Sequence, residues 1–376
     1  MPRDFVVTAT PSMKGYAAQV VKQLARFPSF ASQAEVIDGI DMLQMARFAD
    51  GEIEAVVSRS IRGKDVVVFS SSARNEAGIG TAAAKIELYH TIDALKRSQA
   101  EKIIVFEPFV SCSRSDRTMR RNSVGLWVHF KILMSLGTQH IVTYQLHSDK
   151  SKSMLDPVIC EIDDVPALSL IQQYLCDVYI KNLKTLEEVV RPNWAFCSVD
   201  AGGEKLARGF ANGFGAPLVV AHKQRDYSKA NTIESINILS AEPLRDKVLW
   251  IVDDMVDTGG SVTSLVHALA GHEPAEINIA AVHALFSPPA AERLTALVKE
   301  KLLNRIVVCD TVYCPTGGTG ETEPEIPNLE VVPSAGLSAR VIGNIITSGS
   351  ISSILSPFNA EKHLRKPGLF TMQESN

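Results

Sequence analysis

The chain has 376 residues, 45% of them hydrophobic and 21% charged, with 38 Lys and Arg against 42 Asp and Glu for a net charge of −4. This length exceeds one ordinary domain, so two sizeable cores are expected, and the slight acidic surplus argues against nucleic acid as a partner. The cysteines (Cys112, Cys160, Cys176, Cys197, Cys309 and Cys314) are scattered with no Cys-x-x-Cys pair, which speaks against a zinc site or a disulfide framework and for reduced thiols.

Candidate strands in the first half are residues 5–8, 65–69, 103–106 and 141–144, with helical periodicity over 81–99 and 125–136. A break with Pro157, Glu161, Asp163, Asp164 and Pro166 follows at 156–166. Strands are then expected at 195–199, 218–221, 248–252, 277–283 and 306–308, again separated by helices. Alternation of this kind predicts an α/β fold of two similar domains, each a mostly parallel sheet flanked by helices. Residues 315–327 hold Gly317, Gly318 and Gly320 but no Lys-Ser/Thr ending, and read as a surface loop rather than a nucleotide loop. The tail from about residue 357 is polar and expected to be only partly ordered. No apolar run approaches membrane-spanning length and the first residues lead straight into a candidate strand without a signal-peptide core, so no membrane partner and a cytoplasmic location are expected.

The most informative stretch is 248–261. Five apolar residues, Val248 to Val252, suit a buried central strand, and the run stops at Asp253 and Asp254. Asp257, Thr258, Gly259, Gly260 and Ser261 then lead into a helix carrying Val262, Leu265, Val266 and Leu269. A helix N-terminus after such a turn can hold a phosphate, and the acids before it can hold ribose hydroxyls or a divalent metal, so a sugar phosphate would satisfy both halves. Helix capping alone would need one acid, not three.

This stretch resembles the phosphoribosyl-pyrophosphate loop of the phosphoribosyltransferase fold. With the other segments beside it, nearly all of residues 5–355 is similar to the ribose-phosphate pyrophosphokinase family. The segments are Phe48-Ala-Asp-Gly-Glu52, Ser60-Ile-Arg-Gly63, Ile92-Asp-Ala-Leu-Lys-Arg97, Leu146-His147, Val199-Asp-Ala-Gly-Gly203, His222-Lys-Gln-Arg225, Lys229-Ala-Asn231 and His283 with Phe286-Ser287. The resemblance implies two tandem phosphoribosyltransferase-like domains, residues 1–160 on the ATP side and 161–335 carrying the ribose 5-phosphate loop, with 336–376 a C-terminal helix and tail packing back on the first domain.

It further implies transfer of the β,γ-diphosphoryl group of ATP to the C1 hydroxyl of ribose 5-phosphate with Mg2+, by a homo-oligomer built from dimers within hexamers. Lys223, Arg225 and Arg114 would be catalytic, because phosphoryl chemistry asks chiefly for positioning and for cations against developing charge. Phe48, Asp50, Glu52, Arg114, Ser115, Asp116 and His147 would bind ATP, and Asp200, Asp253, Asp254, Asp257, Thr258, Gly259, Gly260 and Ser261 would bind ribose 5-phosphate. His147 and Asp200 would be the metal ligands. Ser60, Arg62, Ser350 and Ser352 match parts of the regulatory phosphate site. The chain departs from the family's pattern at Cys112, where an aromatic is usual, at Ser115, where Gln is usual, and at Gln145, where an acid precedes the His. Alternative readings are a non-catalytic regulatory subunit of such a synthetase and a type I phosphoribosyltransferase.

Overall fold

A computed structural model describes residues 4–32, 37–118, 121–225, 233–314 and 325–365. It divides into two compact units, one of residues 1–166, 311–313 and 333–355, the other of residues 167–310, 314–332 and 356–376.

The sheet of the first unit contains β1 (Phe5–Ala9), β4 (Asp65–Phe69), β5 (Lys102–Glu107), β6 (His140–Tyr144) and β7 (Glu161–Val165), in that order and all parallel. β1, β4 and β6 are buried along their whole length, as expected of parallel strands covered on both faces. Helices α1 (Lys14–Leu24), α2 (Thr81–Arg97) and α3 (Gly125–Leu136) flank it. Leu88, Ile92 and Leu95 of α2 and Leu126, Phe130 and Leu133 of α3 close over Val66, Val68, Ile103, Val105 and Ile141 of the strands. Each such side chain contributes about 1.5–3 kcal/mol by leaving water.

Two elements here differ from expectation. The acidic stretch 156–166 contains β7, whose Ile162 and Asp163 pair with Ile141 and Val142 of β6. Its charges mark it as an edge strand, and edge strands carry charge to block pairing with other chains, so it reads as linker in sequence. A hairpin also precedes β4, with β2 (Leu43–Arg47) antiparallel to β3 (Ile53–Val57). Its strands are half-exposed and short, which leaves no apolar run to announce them.

The sheet of the second unit runs β10-β9-β8-β11-β12-β13-β14, with β8 (Trp194–Ser198), β9 (Leu218–Arg225), β10 (Ile233–Leu239), β11 (Val248–Val256), β12 (Glu276–Ala284), β13 (Arg305–Cys309) and β14 (Leu329–Val332). All neighbours are parallel except β10, which is antiparallel to β9. Helices α4 (Leu168–Leu175), α5 (Glu204–Phe214), α6 (Gly260–Ala270) and α7 (Ala290–Lys299) flank it. One face is filled by Leu249, Ile251, Ile279, Ala281, Leu265 and Leu269. The other carries an aromatic cluster in which Trp250 meets Trp194 at 5.7 Å and Phe196 stacks on Phe214 at 5.3 Å.

The last helices are shared between the units. α8 (Ala335–Thr347) packs on α1 of the first unit, where Ser338 Oγ lies 2.8 Å from the Tyr16 hydroxyl and 2.6 Å from that of Tyr144. α9 (Ala360–Arg365) belongs to the second unit, where His363 Nε2 lies 2.7 Å from Asp177. The C-terminal segment is therefore not a single piece returning to the first domain. Residues 366–376 and the glycine-rich 315–324 lie outside the described residues.

Candidate active site

In the second unit the chain leaves β8 in one direction, toward β9, and leaves β11 in the other, toward β12. The carboxyl ends of β8 and β11 thus border the point where strand order reverses, and in open α/β sheets that is where a crevice opens for ligands. β11 also outruns β8: their pairing ends at Val252 with Ser198, whereas β11 continues beside β12 through Asp253–Ala281, Met255–His283 and Val256–Ala284. The acids expected to terminate the strand therefore lie within it, held by pairing on one side only.

Asp253 is half-buried and Asp254 is 7% exposed. Asp253 Oδ1 accepts the Asp254 N–H at 3.0 Å. Burial first, and then the charges of Asp254 and Asp200, push the Asp253 carboxyl well above the usual carboxylate range. Asp200 follows β8, and its Oδ1 accepts the N–H groups of Gly202 at 2.9 Å and Gly203 at 3.1 Å, which shapes the turn into α5. An Asp253 carboxyl raised by Asp254 and Asp200 favours a proton or hydroxyl donors at this sheet edge.

Residues 257–261 form the turn into α6. Gly259 has φ 73°, a left-handed conformation natural to glycine, and its carbonyl accepts both the N–H and the hydroxyl of Thr263 at 2.9 Å. Arg293 of α7 donates from Nη1 to the Thr258 carbonyl at 2.9 Å and would meet a Cβ at Gly260 at 3.2 Å. The first N–H groups of α6 have no intrahelical partner by geometry, no acid stands in its first turn, and Ser261 is exposed. A helix start of this kind can receive an anion. Arg293 was not foreseen, since it lies more than thirty residues from the loop it fastens.

The strand expected over 218–221 leaves Lys223 and Arg225 beyond its end. Their backbone instead continues β9, with Lys223 opposite Ile236 and Arg225 opposite Ile233 of β10. The antiparallel partner, invisible in the local pattern, is what extends the strand. Residues 226–232, including the Lys229-Ala-Asn231 segment, lie outside the described residues.

In the first unit the hairpin turn presents Phe48, Asp50 and Glu52 to solvent. Phe48 N–H donates to the Glu52 carbonyl at 2.9 Å, Asp50 Oδ1 accepts the Glu52 N–H at 3.0 Å, and Gly51 takes φ 94°. Arg114, Ser115 and Asp116 follow β5. Arg114 is exposed, whereas Ser115 Oγ accepts the Gly125 N–H at 2.9 Å and so fastens the start of α3. His147 is exposed beyond β6, and the adjacent Leu146 N–H donates to Asp164 Oδ1 at 2.9 Å. Burial raises the Asp164 carboxyl, against the Leu146 N–H and Lys152. An acid thus stands beside this segment despite Gln145, but it comes from β7. Ser60 and Arg62 are exposed in the turn after β3, and Ser350 donates to Ser352 Oγ at 3.0 Å after α8.

No group of three or more His, Cys, Asp or Glu side chains is arranged to hold a metal among the described residues. No described helix is long and apolar enough to cross a membrane.

Residues 6–137 match the N-terminal domain of ribose phosphate pyrophosphokinase, and residues 181–310 match the phosphoribosyl transferase domain. The chain is 31% identical over 311 residues to the ribose-phosphate pyrophosphokinase of Corynebacterium efficiens, covering 82% of this chain and 86% of the relative. It is 32% identical over 331 residues to that of Mycobacterium leprae, covering 87% and 92%. A crystal structure of phosphoribosylpyrophosphate synthetase from Mycobacterium smegmatis superposes with a TM-score of 0.74 at 25% identity, over 92% of this chain and 100% of that one.

Proposed function

We infer that the chain, which belongs to the ribose-phosphate pyrophosphokinase family, transfers the β,γ-diphosphoryl group of ATP to the C1 hydroxyl of ribose 5-phosphate, giving phosphoribosyl pyrophosphate and AMP. The observation that carries this reading is the Asp253–Ser261 cradle at the strand-order reversal of the second sheet, in a chain whose first half matches the pyrophosphokinase N-terminal domain.

In this assignment residues 257–261 hold the 5-phosphate by helix N–H groups, while Asp253 and Asp254 accept from the ribose hydroxyls. Lys223 and Arg225 set positive charge against the oxygens that gain charge during transfer, and Arg114 bridges two phosphate oxygens with parallel hydrogen bonds. Phe48 offers a ring face to the adenine, with Asp50, Glu52 and Asp116 as acceptors. Ser115 acts from its place at the start of α3, so its hydroxyl orients the Arg114 segment as well as facing nucleotide. Asp200 and His147 would hold Mg2+, which when bound neutralises charge on the phosphates. Ser60, Arg62, Ser350 and Ser352 are assigned to a regulatory anion. The working form is a cytoplasmic homo-oligomer built from dimers.

The test is direct. Protein incubated with ATP, Mg2+ and ribose 5-phosphate should yield AMP and phosphoribosyl pyrophosphate in equal amounts. Absence of both products, with and without inorganic phosphate and with GTP or CTP also tried, would overturn the reading in favour of a regulatory subunit.

A further inference from the structure

Glu107 closes β5 and is fully buried, a costly place for a carboxylate. Its Oε2 lies 2.7 Å from Nε2 of His129, itself 1% exposed on the inner face of α3. Nδ1 of the same ring lies 2.9 Å from the hydroxyl of Tyr89 on α2. With the neutral ring donating from Nε2 to the carboxylate, Nδ1 is left to accept from the Tyr89 hydroxyl. Burial, with the charges of Glu107 and Cys112, pushes the Tyr89 hydroxyl up to about 12, which keeps it a donor at neutral pH. Two directional bonds therefore join β5, α3 and α2.

The segment leaving Glu107 is the one that bears Arg114; its start is held by the Tyr144 N–H, which donates to the Pro108 carbonyl at 3.3 Å, and by Ser72, which donates to Ser111 Oγ at 2.6 Å, and nearer Arg114 it is fastened to the same two helices. Lys85, one turn before Tyr89 on α2, lies 3.3 Å from Cys112 Sγ. Ser115 Oγ accepts from Gly125, one turn before His129 on α3. Arg114 sits between Cys112 and Ser115. Glu107 Oε1 is buried without a hydrogen-bond partner among the described residues, so the cluster is not the arrangement that stability alone would favour. Apolar side chains of similar volume are often neutral or better in such positions.

We propose that Glu107, His129 and Tyr89 form a positioning relay that fixes the exit of β5 against α2 and α3 and thereby sets the place of the Arg114 guanidinium. The inference rests on the reading of Arg114 as the group that meets the diphosphoryl chain. The relay touches no substrate and acts through that loop alone. Its failure must accordingly appear on the nucleotide side and spare the sugar phosphate.

The experiment compares His129→Leu, His129→Gln and Arg114→Ala in the full-length protein. His129→Leu should lower kcat at least about tenfold and raise KM for ATP, with KM for ribose 5-phosphate changed less than about twofold. His129→Gln, whose amide can donate to Glu107 and accept from Tyr89, should recover activity to within about threefold of the parent. Amide hydrogen exchange over residues 108–116 should quicken at least about tenfold in His129→Leu and stay near the parent in His129→Gln, a readout that needs no turnover. Unchanged exchange there in His129→Leu, equal rises in both KM values, or no recovery in His129→Gln would overturn the proposal. If His129→Leu does not fold, Tyr89→Phe carries the same signs at smaller size, and its lack of any effect on exchange or KM for ATP is equally fatal. Full activity in Arg114→Ala would sink the reading of Arg114, while the exchange result still decides whether the relay holds the loop.

Discussion

The carboxylate of Glu87, wholly buried on α2, is ion-paired with the guanidinium of Arg47, the residue immediately before Phe48. Burial raises the Glu87 carboxyl and Arg47 opposes the rise. The pair ties the hairpin to the helix under it, so the exposed turn at residues 48–52 stands on a fixed base. Glu87→Gln keeps the shape and removes the charge. It should raise KM for ATP roughly fivefold while leaving KM for ribose 5-phosphate unchanged, a split read by steady-state kinetics with each substrate varied in turn.

Asp253 links stability to pH with a definite sign. Its folded carboxyl titrates above the unfolded value of about 3.9, so its contribution is fully present below that pH and is lost as pH rises through the folded value. Asp253→Asn removes the loss. In metal-free buffer at neutral pH the variant should melt higher than the parent, and the two should converge toward pH 4, while the variant binds ribose 5-phosphate more weakly. Thermal scans across pH check it, and a lower melting temperature for Asp253→Asn at neutral pH would contradict the assignment.

Gly259 turns the chain into α6 at φ 73°, with Ala290 in ordinary van der Waals range of the missing Cβ. The strain of Gly259→Ala is therefore one of backbone conformation, costing about 1–2 kcal/mol. The variant should stay folded, with a modest drop in melting temperature, and lose about tenfold or more in ribose 5-phosphate affinity as the cradle widens. Calorimetric titration with ribose 5-phosphate measures this directly.

Lys223→Ala should lower kcat by about two orders of magnitude or more with ribose 5-phosphate binding nearly intact, because a cation aimed at developing charge acts on the transition state. A large loss of ribose 5-phosphate affinity would place Lys223 in the sugar site instead.

Strands with a continuous apolar run, such as Val248–Val252 or Val66–Phe69, were legible because burial on both faces leaves that trace. β7 was not, because an edge strand protects itself with the charges that also mark linkers. β9 ran on through Arg225 because β10 supplies a partner across residues 226–232, and pairing of that kind has no local signature. In the candidate site the acids and glycines of 253–261 announce their chemistry by type and spacing. Arg293, Asp164 and the Glu107–His129–Tyr89 relay enter only through tertiary contact. A buried His among Phe130 and Leu133 reads as an ordinary core residue until its two neighbours are known.

The hydroxyl junction of Tyr16 and Tyr144 with Ser338 has a consequence for how the protein is made. The strands of the first unit leave the ribosome before the second unit does, yet α8, which completes the first unit, follows nearly all of the second in sequence. The nascent first half must therefore wait, with an apolar face uncovered, while the whole second unit is translated. Synthesis order and folding order are opposed, and a premature stop codon anywhere before residue 335 would leave both halves damaged rather than one.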